Sequence, residues 1–512
     1  MKPIRLMAGF FTVGVWTLAS RILGFVRDIA IAGFLGAGPV AEAFLVAFSL
    51  PNMFRRFFAE GAFNMAFVPM FSKKVEAEED ALTFARDAYT GLATVLIVFT
   101  VLAMAAMPWL VLAMASGFLG DERFDMAVTF GRIAFPYILF ISLAALLSGV
   151  LNATGRFMAA AAAPVLLNAL FIAALVVGHF AGWSIGLTLA WTVPLAGIAQ
   201  LALVWVAASR AGFRLVPRRP RLTPELRRLA IIAAPAALAG GVMQVNLLIG
   251  RQVASFFDGA IAWLNYADRL YQLPLGVVGI AVGVVLLPDI SRRLTAEDTA
   301  GGRHAFNRAG EISLALTVPA AVALVAIPGP LIEVLFQRGR FGPEDTAATA
   351  LALAIYGLGL PAFVLQKVLQ PLFFAREDTR RPFYYALAGM AVNAAIAVGL
   401  SPVIGFAAAA WGTTLAGWAM VLLLWRGSRG MGEAAMLDRR FLGRIWRILL
   451  SAAIMGAVIW GLAQLLAPWL GMATVRYAAL ALLVLGGALS YFVAADRLGA
   501  LRLSELRGAL RR

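Results

Sequence analysis

The segment Pro69-Met70-Phe71-Ser72-Lys73-Lys74 returns about 220 residues later as Pro288-Asp289-Ile290-Ser291-Arg292-Arg293. Further landmarks recur at nearly the same spacing: Arg27 as Arg251, Pro51 as Pro274, Asn168 as Asn393, Gly197 as Gly417, and Trp205 as Trp425. The shared spacing indicates one duplicated unit. Paired repeats in a hydrophobic chain are typical of alternating-access transporters, in which the substrate site lies between the two halves.

The composition excludes a soluble domain. Hydrophobic residues make up 62% of the 512 residues and charged residues only 14%. A soluble fold cannot cover that much apolar surface, whereas lipid solvates it. The chain has no cysteine, which excludes disulfides, thiolate metal sites and cysteine nucleophiles. The net charge of +16 comes from basic residues between apolar segments, which favours a membrane-topology signal, so we expect no nucleic-acid partner.

The sequence also lacks motifs for catalysis. It contains no Gly-x-x-x-x-Gly-Lys-Ser/Thr phosphate loop and no nucleophile–base set. The two histidines, His179 and His304, are too far apart in sequence to form a ligand cluster by spacing. We therefore predict a transporter with no cofactor and no metal site, not an enzyme.

Clusters of charged residues and the positions of proline and glycine divide the chain into apolar segments that are long enough to cross the bilayer as helices. Their approximate limits are 6–35, 40–71, 87–116, 126–153, 158–180, 184–209, 226–256, 259–290, 306–327, 345–375, 382–400, 404–425, 444–467 and 473–495. The sequence thus predicts an all-α polytopic membrane protein of about 14 transmembrane helices, with two pseudo-symmetric six-helix lobes followed by two C-terminal helices.

Lysine and arginine concentrate at the termini and in the connections after even-numbered segments, which predicts that both termini are cytoplasmic and that the lobes share one orientation. No cleavable signal peptide is expected. The predicted domains are an N-lobe at 1–210, a basic cytoplasmic linker at 211–228, a C-lobe at 229–428, and the last two helices with the tail at 429–512. The linker is expected to touch anionic lipid head groups or to bind a partner.

Some basic residues lie inside the predicted segments, where each charge costs at least about 2.5–3.5 kcal/mol unless it faces a polar interior, a partner or the interface. They are Arg21, Arg27, Arg55, Arg56, Arg251, Arg269 and Lys367; their acidic companions are Asp28, Glu42, Glu60 and Asp268. All but Lys367 lie on the corresponding segments one, two, seven and eight. If these helices face each other, the arginines surround one cationic cavity suited to a polyanion.

Internal salt bridges are the alternative explanation for these charges. Arg56 and Glu60 are four residues apart on one helical face and can pair directly. Asp28 shares a face with Arg21, and Gly24 between them permits a bend. Prolines at matching repeat positions, among them Pro51 and Pro274, predict hinges or broken segments beside the cavity.

Three segments carry a family resemblance. The run Ser20-Arg21-Ile22-Leu23-Gly24-Phe25-Val26-Arg27-Asp28 resembles the first-helix signature of the MurJ/MviN lipid II flippases. The run Leu50-Pro51-Asn52-Met53-Phe54-Arg55-Arg56-Phe57-Phe58-Ala59-Glu60-Gly61-Ala62-Phe63 resembles the second-helix signature, and Tyr266-Ala267-Asp268-Arg269-Leu270 is similar to the eighth helix. The resemblance extends along essentially the whole chain. The family belongs to the multidrug/oligosaccharidyl-lipid/polysaccharide exporter superfamily.

The resemblance implies translocation of lipid II, the undecaprenyl-pyrophosphate-linked peptidoglycan precursor, from the cytoplasmic to the periplasmic leaflet of the bacterial inner membrane. The implied substrate-binding residues are Arg21, Arg27, Arg55 and Arg269, and guanidinium forks suit a pyrophosphate. Supporting or gating roles are assigned to Asp28, Glu42, Asn52, Arg56, Glu60, Asp268 and Gln272, and hinge roles to Gly24, Pro51 and Pro274. By the same resemblance, the last two helices form a groove for the lipid tail.

The sequence departs from the family at three places. Glu42 stands where the family often has Asp, Gln272 stands where some relatives carry an acidic residue, and Ser49 stands where some carry lysine. Some relatives bind sodium through an acidic residue on the seventh helix, but residues 226–257 contain no Asp or Glu, so no such site is predicted.

Several hypotheses remain open at this point. The first is a lipid II flippase, coupled to the membrane potential or to a monovalent cation. The second is a flippase for another polyprenyl-linked oligosaccharide. A cation-coupled drug exporter is a further alternative, although cationic drugs would favour carboxylates over arginines in the cavity. The third is a scaffold that binds lipid II without moving it and recruits cell-wall synthases through its basic loops. Cell-wall synthases are also candidate partners of the flippase, and the phospholipid bilayer is a partner in every case.

Overall fold

The computed structural model describes the backbone of residues 6–55, 62–77 and 79–501. It describes their side chains except for residues 6–11, 62–63, 65, 234–243, 245, 277–287 and 294. In this part of the chain all regular structure is helical, without a β-strand. The prediction of an all-α polytopic membrane protein is confirmed.

The chain divides into two compact units, Met1–Ala262 and Trp263–Arg512. The helices of the first unit are α1 (Leu6–Leu35), α2 (Pro39–Arg55), α3 (Ala62–Glu76), α4 (Ala81–Ala105), α5 (Met107–Met114), α6 (Glu122–Ala134), α7 (Tyr137–Ala153), α8 (Met158–Phe180), α9 (Ile185–Arg210) and α10 (Pro224–Ala254). A short 3-10 helix, Ser116–Phe118, precedes α6.

The second unit begins inside α11 (Ala260–Thr295). It continues with α12 (Thr299–Ala326), α13 (Pro328–Phe336), α14 (Pro343–Phe374), α15 (Arg380–Ile404), α16 (Ala407–Ser428), α17 (Arg439–Leu470) and α18 (Arg476–Arg497). The boundary therefore places α10, the predicted first helix of the C-lobe, in the first unit. The four predicted domain ranges stay predictions.

Ten of the predicted segments coincide with helices or helix pairs that are long and apolar enough to cross a membrane, counted in the described residues. The remaining four correspond to α1, to α2 with α3, to α10 and to α11, and their ends lie within a few residues of the predicted limits. Residues 56–61, inside the second predicted segment, lie outside the described residues. The total of 14 transmembrane helices stays a prediction.

Local sequence explains several helix boundaries. Pro136 separates α6 from α7, since proline lacks the amide that would continue the helix. Asp121, Thr223 and Asp438 cap α6, α10 and α17, each accepting a hydrogen bond from a backbone N–H of the first turn. The helix α2 continues through Pro51 without a break, as α1 does through Gly24 and α11 does through Pro274. Their hinge roles stay predictions.

Two glycines of the repeat occupy the same kind of position in each unit. A Cβ at Gly197 would lie 2.8 Å from the ring of Tyr137, and a Cβ at Gly417 would lie 3.2 Å from the ring of Phe363. In both units the glycine lets a helix approach an aromatic side chain of a neighbouring helix. The duplication seen in the sequence therefore reflects repeated packing at these positions.

Helix packing positions the candidate site. In the first unit α1 packs on α8, α2 on α6, and α10 on α3. In the second unit α12 packs on α14 and α17, and α17 packs on α18. The hydroxyl of Tyr491 on α18 donates to the carbonyl of Ala315 on α12 at 2.6 Å, so the C-terminal helix pair is tied to α12 inside an apolar core.

Candidate functional site

Arg27 is buried inside the first unit, with 7% of its surface exposed. Its Nε and Nη2 donate to the carboxylate of Asp28 at 3.0 and 2.7 Å, and its Nη1 donates to the side-chain oxygen of Asn168 at 2.9 Å. The guanidinium also lies 5.9 Å from the ring centre of Phe48 and 5.6 Å from that of Phe171. One carboxylate, one amide and two aromatic faces therefore stabilise this buried cation.

Asp28 pairs with the adjacent Arg27, whereas the sequence placed it on the face of Arg21. Adjacent residues on a helix diverge, but the long arginine side chain bends back far enough to reach the neighbouring carboxylate. Arg21 itself is exposed and takes part in no ion pair or hydrogen bond within the part of the chain that the structure describes. It is thus the accessible arginine of α1.

Glu42 forms the second charged centre of this unit. It is 1% exposed, and its Oε2 accepts from Nη1 of Arg123 at 2.9 Å. Its Oε1 accepts from the backbone N–H of Ile261 at 3.1 Å, in the first turn of α11. One carboxylate therefore joins α2, α6 and the start of α11, all through residues of the first unit.

Arg123 forms salt bridges with three carboxylates. Besides Glu42, its Nε lies 2.5 Å from Asp121 and its Nη2 lies 2.9 Å from Asp258. Its guanidinium lies 4.6 Å from the ring centre of Phe118. Burial raises the pKa of Asp121, but hydrogen bonds from the backbone and side chain of Arg123 outweigh this and hold that pKa below its ordinary value.

Hydrogen bonds attach the C-terminal end of α10 to the residues that follow α5, near Arg123. Gln252 accepts from the N–H and hydroxyl of Ser116 at 2.8 and 2.9 Å, and it donates to two carbonyls at the end of α5. The N–H of Gly117 donates to the hydroxyl of Ser255 at 3.0 Å, and a Cβ at Gly117 would lie 2.5 Å from the carbonyl carbon of Ser255. The connection between α10 and α11 is therefore closely packed on the first unit.

The remaining predicted residues of α2 lie near its end. Asn52 donates from its side chain to the carbonyl of Phe48 at 2.8 Å, one turn earlier, and Arg55 is half-buried. Pro51, which directly precedes Asn52, is buried. Arg56 and Glu60 lie outside the described residues, so their predicted pairing stays a prediction.

The predicted residues of the second unit lie on α11. Gln272 donates from its side-chain amide to the carboxylate of Asp268, one turn earlier. Arg269 and Pro274 are both half-buried. The convergence of Arg269 with Arg21, Arg27 and Arg55 on one cavity stays a prediction. In the described residues, no group of three or more His, Cys, Asp or Glu side chains could hold a metal ion.

A family model described as "Lipid II flippase MurJ" matches residues 31–480. The chain belongs to this MurJ family. It is 45% identical to the "Probable lipid II flippase MurJ" of Rhizobium meliloti, over 99% of this chain and 97% of that protein. It is also 37% identical to the "Lipid II flippase MurJ" of Burkholderia cenocepacia, over 84% of this chain and 85% of that protein. As a MurJ family member, the chain is a transporter and a multi-pass protein of the bacterial inner membrane.

Solved structures agree with this MurJ assignment at the level of the fold. The structure described as "Lipid II flippase MurJ, inward closed conformation" has a TM-score of 0.78 and 24% identity, covering 94% of this chain and 98% of that one. An inward-facing multidrug resistance MATE family transporter of the MOP superfamily has a TM-score of 0.65 and 13% identity, covering 81% and 95%. The chain thus shares its fold with both solved structures.

Sequence reasoning missed two residues of this MurJ family member. Arg123 precedes the fourth predicted segment, at 126–153, so it was not among the basic residues counted inside the segments, although it is buried. Asn168 was noted only as part of the repeat, although its amide contacts Arg27. Polar residues beside or within apolar segments are the signal that could have found both, but their partners are 81 and 141 residues away in the chain.

Proposed function

We propose that this MurJ family member moves lipid II from the cytoplasmic to the periplasmic leaflet by alternating access, with both termini in the cytoplasm. The 45% identity over 99% of the chain to a probable lipid II flippase carries this proposal. The pyrophosphate of lipid II is the group that the arginines recognise, and the apolar surfaces of the C-terminal helices accommodate its prenyl tail.

Arg21, Arg27, Arg55 and Arg269 bind the diphosphate. Arg21 is exposed, so it makes the first contact with the entering head group. Arg27 uses three of its donor directions on Asp28 and Asn168, and a guanidinium has five N–H groups, so donors remain for a phosphate oxygen. Arginine suits this role because it stays charged and donates two parallel hydrogen bonds to a phosphate.

Glu42 and Arg123 act as a gate. Their contacts with Asp258 and Ile261 hold the α10–α11 connection on the first unit, and the predicted topology places this end at the periplasm. A transport step that moves this connection must break these bonds. Binding of the diphosphate neutralises the cationic cluster, which lowers the cost of closing the cytoplasmic side.

The energy source we propose is the membrane potential or a monovalent cation. Moving one elementary charge through the field changes the free energy by about 2.3 kcal/mol per 100 mV. A net displacement of the arginine cluster with its bound anion would therefore respond to the potential. Dissipating the potential in vesicles, with and without sodium, separates the two sources. Cell-wall synthases remain candidate partners that would take up the translocated substrate.

The test is lipid II translocation in cells depleted of their own flippase and supplied with variants of this chain. We expect Arg21→Ala and Arg27→Ala to abolish translocation at normal protein levels. The matched control is Arg132→Ala, which removes an exposed arginine of α6 that donates only to the carbonyl of Met104 in the described residues. Full translocation by Arg21→Ala and Arg27→Ala would refute the assigned site.

Reconstitution distinguishes this function from the other hypotheses. Purified chain in vesicles containing lipid II should expose the head group on the opposite leaflet, whereas a scaffold would bind lipid II without moving it. Replacing lipid II with another polyprenyl-linked oligosaccharide tests substrate class. Movement of that second lipid but not of lipid II would overturn the proposal.

A further inference from the structure

Asn168 joins two points of α1 that flank Gly24. Its Nδ2 donates to the carbonyl of Ser20 at 2.9 Å, and its Oδ1 accepts from Nη1 of Arg27 at 2.9 Å. Side chains on a helix point towards its N-terminus, so the long side chain of Arg27 runs back along α1 and brings its guanidinium to the same amide. One side chain of α8 thereby holds α1 on both sides of the predicted bend.

The close approach depends on Gly24. A Cβ at this position would lie 3.4 Å from Nδ2 of Asn168, so the amide rests directly against the glycine backbone. Asn168 is 5% exposed, and both polar ends of its amide have partners. A buried amide with both ends satisfied prefers one orientation, since rotating it away leaves a donor and an acceptor without hydrogen bonds.

We infer that Asn168 is a positioning residue for Arg27, and that it couples the capture of anionic substrate by Arg27 to the freedom of α1 around Gly24. Asn168 presents the guanidinium in one orientation, with Asp28 holding its other edge. A phosphate oxygen binds the remaining N–H donors of Arg27, so the hydrogen bond from Arg27 to Asn168 persists in the complex. The bound anion thereby strengthens the hold of α8 on α1 at Gly24, in the helix that also carries Arg21. The inference rests on the proposed function for the identity of the anion.

The first experiment measures lipid II affinity of the purified full-length chain in detergent. Asn168→Leu removes both hydrogen bonds and keeps the number and branching of the side-chain heavy atoms. We expect about tenfold weaker binding, the size of one lost hydrogen bond to a charged group. Asn168→Asp keeps an acceptor for Arg27 but cannot donate to Ser20; its extra carboxylate competes with the phosphate, so binding weakens again. In an Arg27→Ala background neither substitution should weaken binding further, because both act through Arg27.

Gln200→Leu is the matched control. Gln200 is also a buried amide against α8, donating to the carbonyl of Ala163 at 2.9 Å, but no described contact joins it to α1 or Arg27. Its loss should leave the affinity for lipid II unchanged. If Asn168→Leu weakens binding by the same factor with and without Arg27, its role is merely structural and the inference is wrong, while the proposed function stands.

The second experiment needs no substrate. Hydrogen exchange of the α1 amides between Ser20 and Arg27 should accelerate in Asn168→Leu and Asn168→Asp, but not in Gln200→Leu. Unchanged exchange in both Asn168 variants would overturn the coupling to α1. If the unmodified chain fails to bind or move lipid II, the proposed function fails, and the exchange result still decides whether Asn168 holds α1.

Discussion

Replacing Arg123 with methionine should destabilise the chain far more than neutralising Asp258, the exposed partner of Arg123. The change keeps an unbranched, flexible side chain that is two atoms shorter, and it removes the charge that faces Glu42. Because Glu42 is 1% exposed, water cannot replace the lost guanidinium. The carboxylate would remain buried, with hydrogen bonds from the backbone of Ile261 and Gly259 but without a neutralising cation.

The burial of the Glu42–Arg123 ion pair sets the size of the expected loss of stability. Removing one partner of a buried ion pair costs about 3–5 kcal/mol, because the other charge is left uncompensated. The contact of Arg123 with Asp258 is different, since the side chain of Asp258 is 92% exposed and such pairs contribute about 0–1 kcal/mol. We therefore expect Asp258→Asn to change stability little. The double variant Glu42→Gln/Arg123→Met should recover much of the loss, because the neutral amide still accepts from Ile261.

The assay is reversible unfolding by SDS in mild detergent micelles, followed by circular dichroism, for the unmodified chain and all four variants: Arg123→Met, Glu42→Gln, Asp258→Asn and the double substitution. The interaction free energy from the cycle of Glu42 and Arg123 is the decisive quantity. The reasoning would be refuted if Arg123→Met were no more destabilising than Asp258→Asn, or if the double variant lost the sum of the two single losses.

Three further predictions concern other contacts of the two units. Gly117→Ala should lose about 1–3 kcal/mol of stability in the same assay, since its Cβ meets backbone, whereas Gly250→Ala, with open space around it, should be neutral or stabilising. Glu311→Leu should lose about 3–5 kcal/mol of stability, because three arginines surround this buried carboxylate. Glu433→Leu removes a carboxylate from an exposed ion pair and should lose less than about 1 kcal/mol. Comparing the SDS concentrations at the unfolding midpoints of the two variants tests this difference. Asp121→Ala should cost about 1 kcal/mol at neutral pH as a lost helix cap. Because the pKa of Asp121 is lowered in the folded chain, its stabilising contribution is complete above the ordinary pKa of 3.8 and is lost as the pH falls from 3.8 through the lowered pKa. Unfolding of both chains at pH 7 and at a series of pH values below 3.8 tests this loss.

Hydrophobicity predicts most of the helices, because a segment that crosses lipid must satisfy its backbone hydrogen bonds internally and keep its side chains apolar. The predicted segment 6–35 matches the ends of α1. The prediction was coarser where proline intervenes: the segment 126–153 is the pair α6 and α7, divided at Pro136. It omitted α13, whose nine residues are too few to cross the bilayer.

The site was less predictable than the fold. Spacing along one helix identifies pairs such as Asp268 and Gln272, four residues apart. It cannot identify the partner of a side chain on another helix, since that depends on how the helices are rotated and packed. Glu42 was therefore predicted as a gating residue without the arginine that it binds, and Arg27 without the amide that orients it.

The number of carboxylates around each buried arginine separates two roles that the sequence alone could not distinguish. Arg123 faces Glu42, Asp121 and Asp258, three carboxylates against one guanidinium, so an approaching anion meets surplus negative charge. Arg27 faces one carboxylate, and its other described hydrogen-bond partner is neutral. Its surroundings are balanced, and N–H donors remain for an added phosphate. Arg123 is thus suited to hold helices together and Arg27 to receive an anion, although both are buried arginines of the same unit.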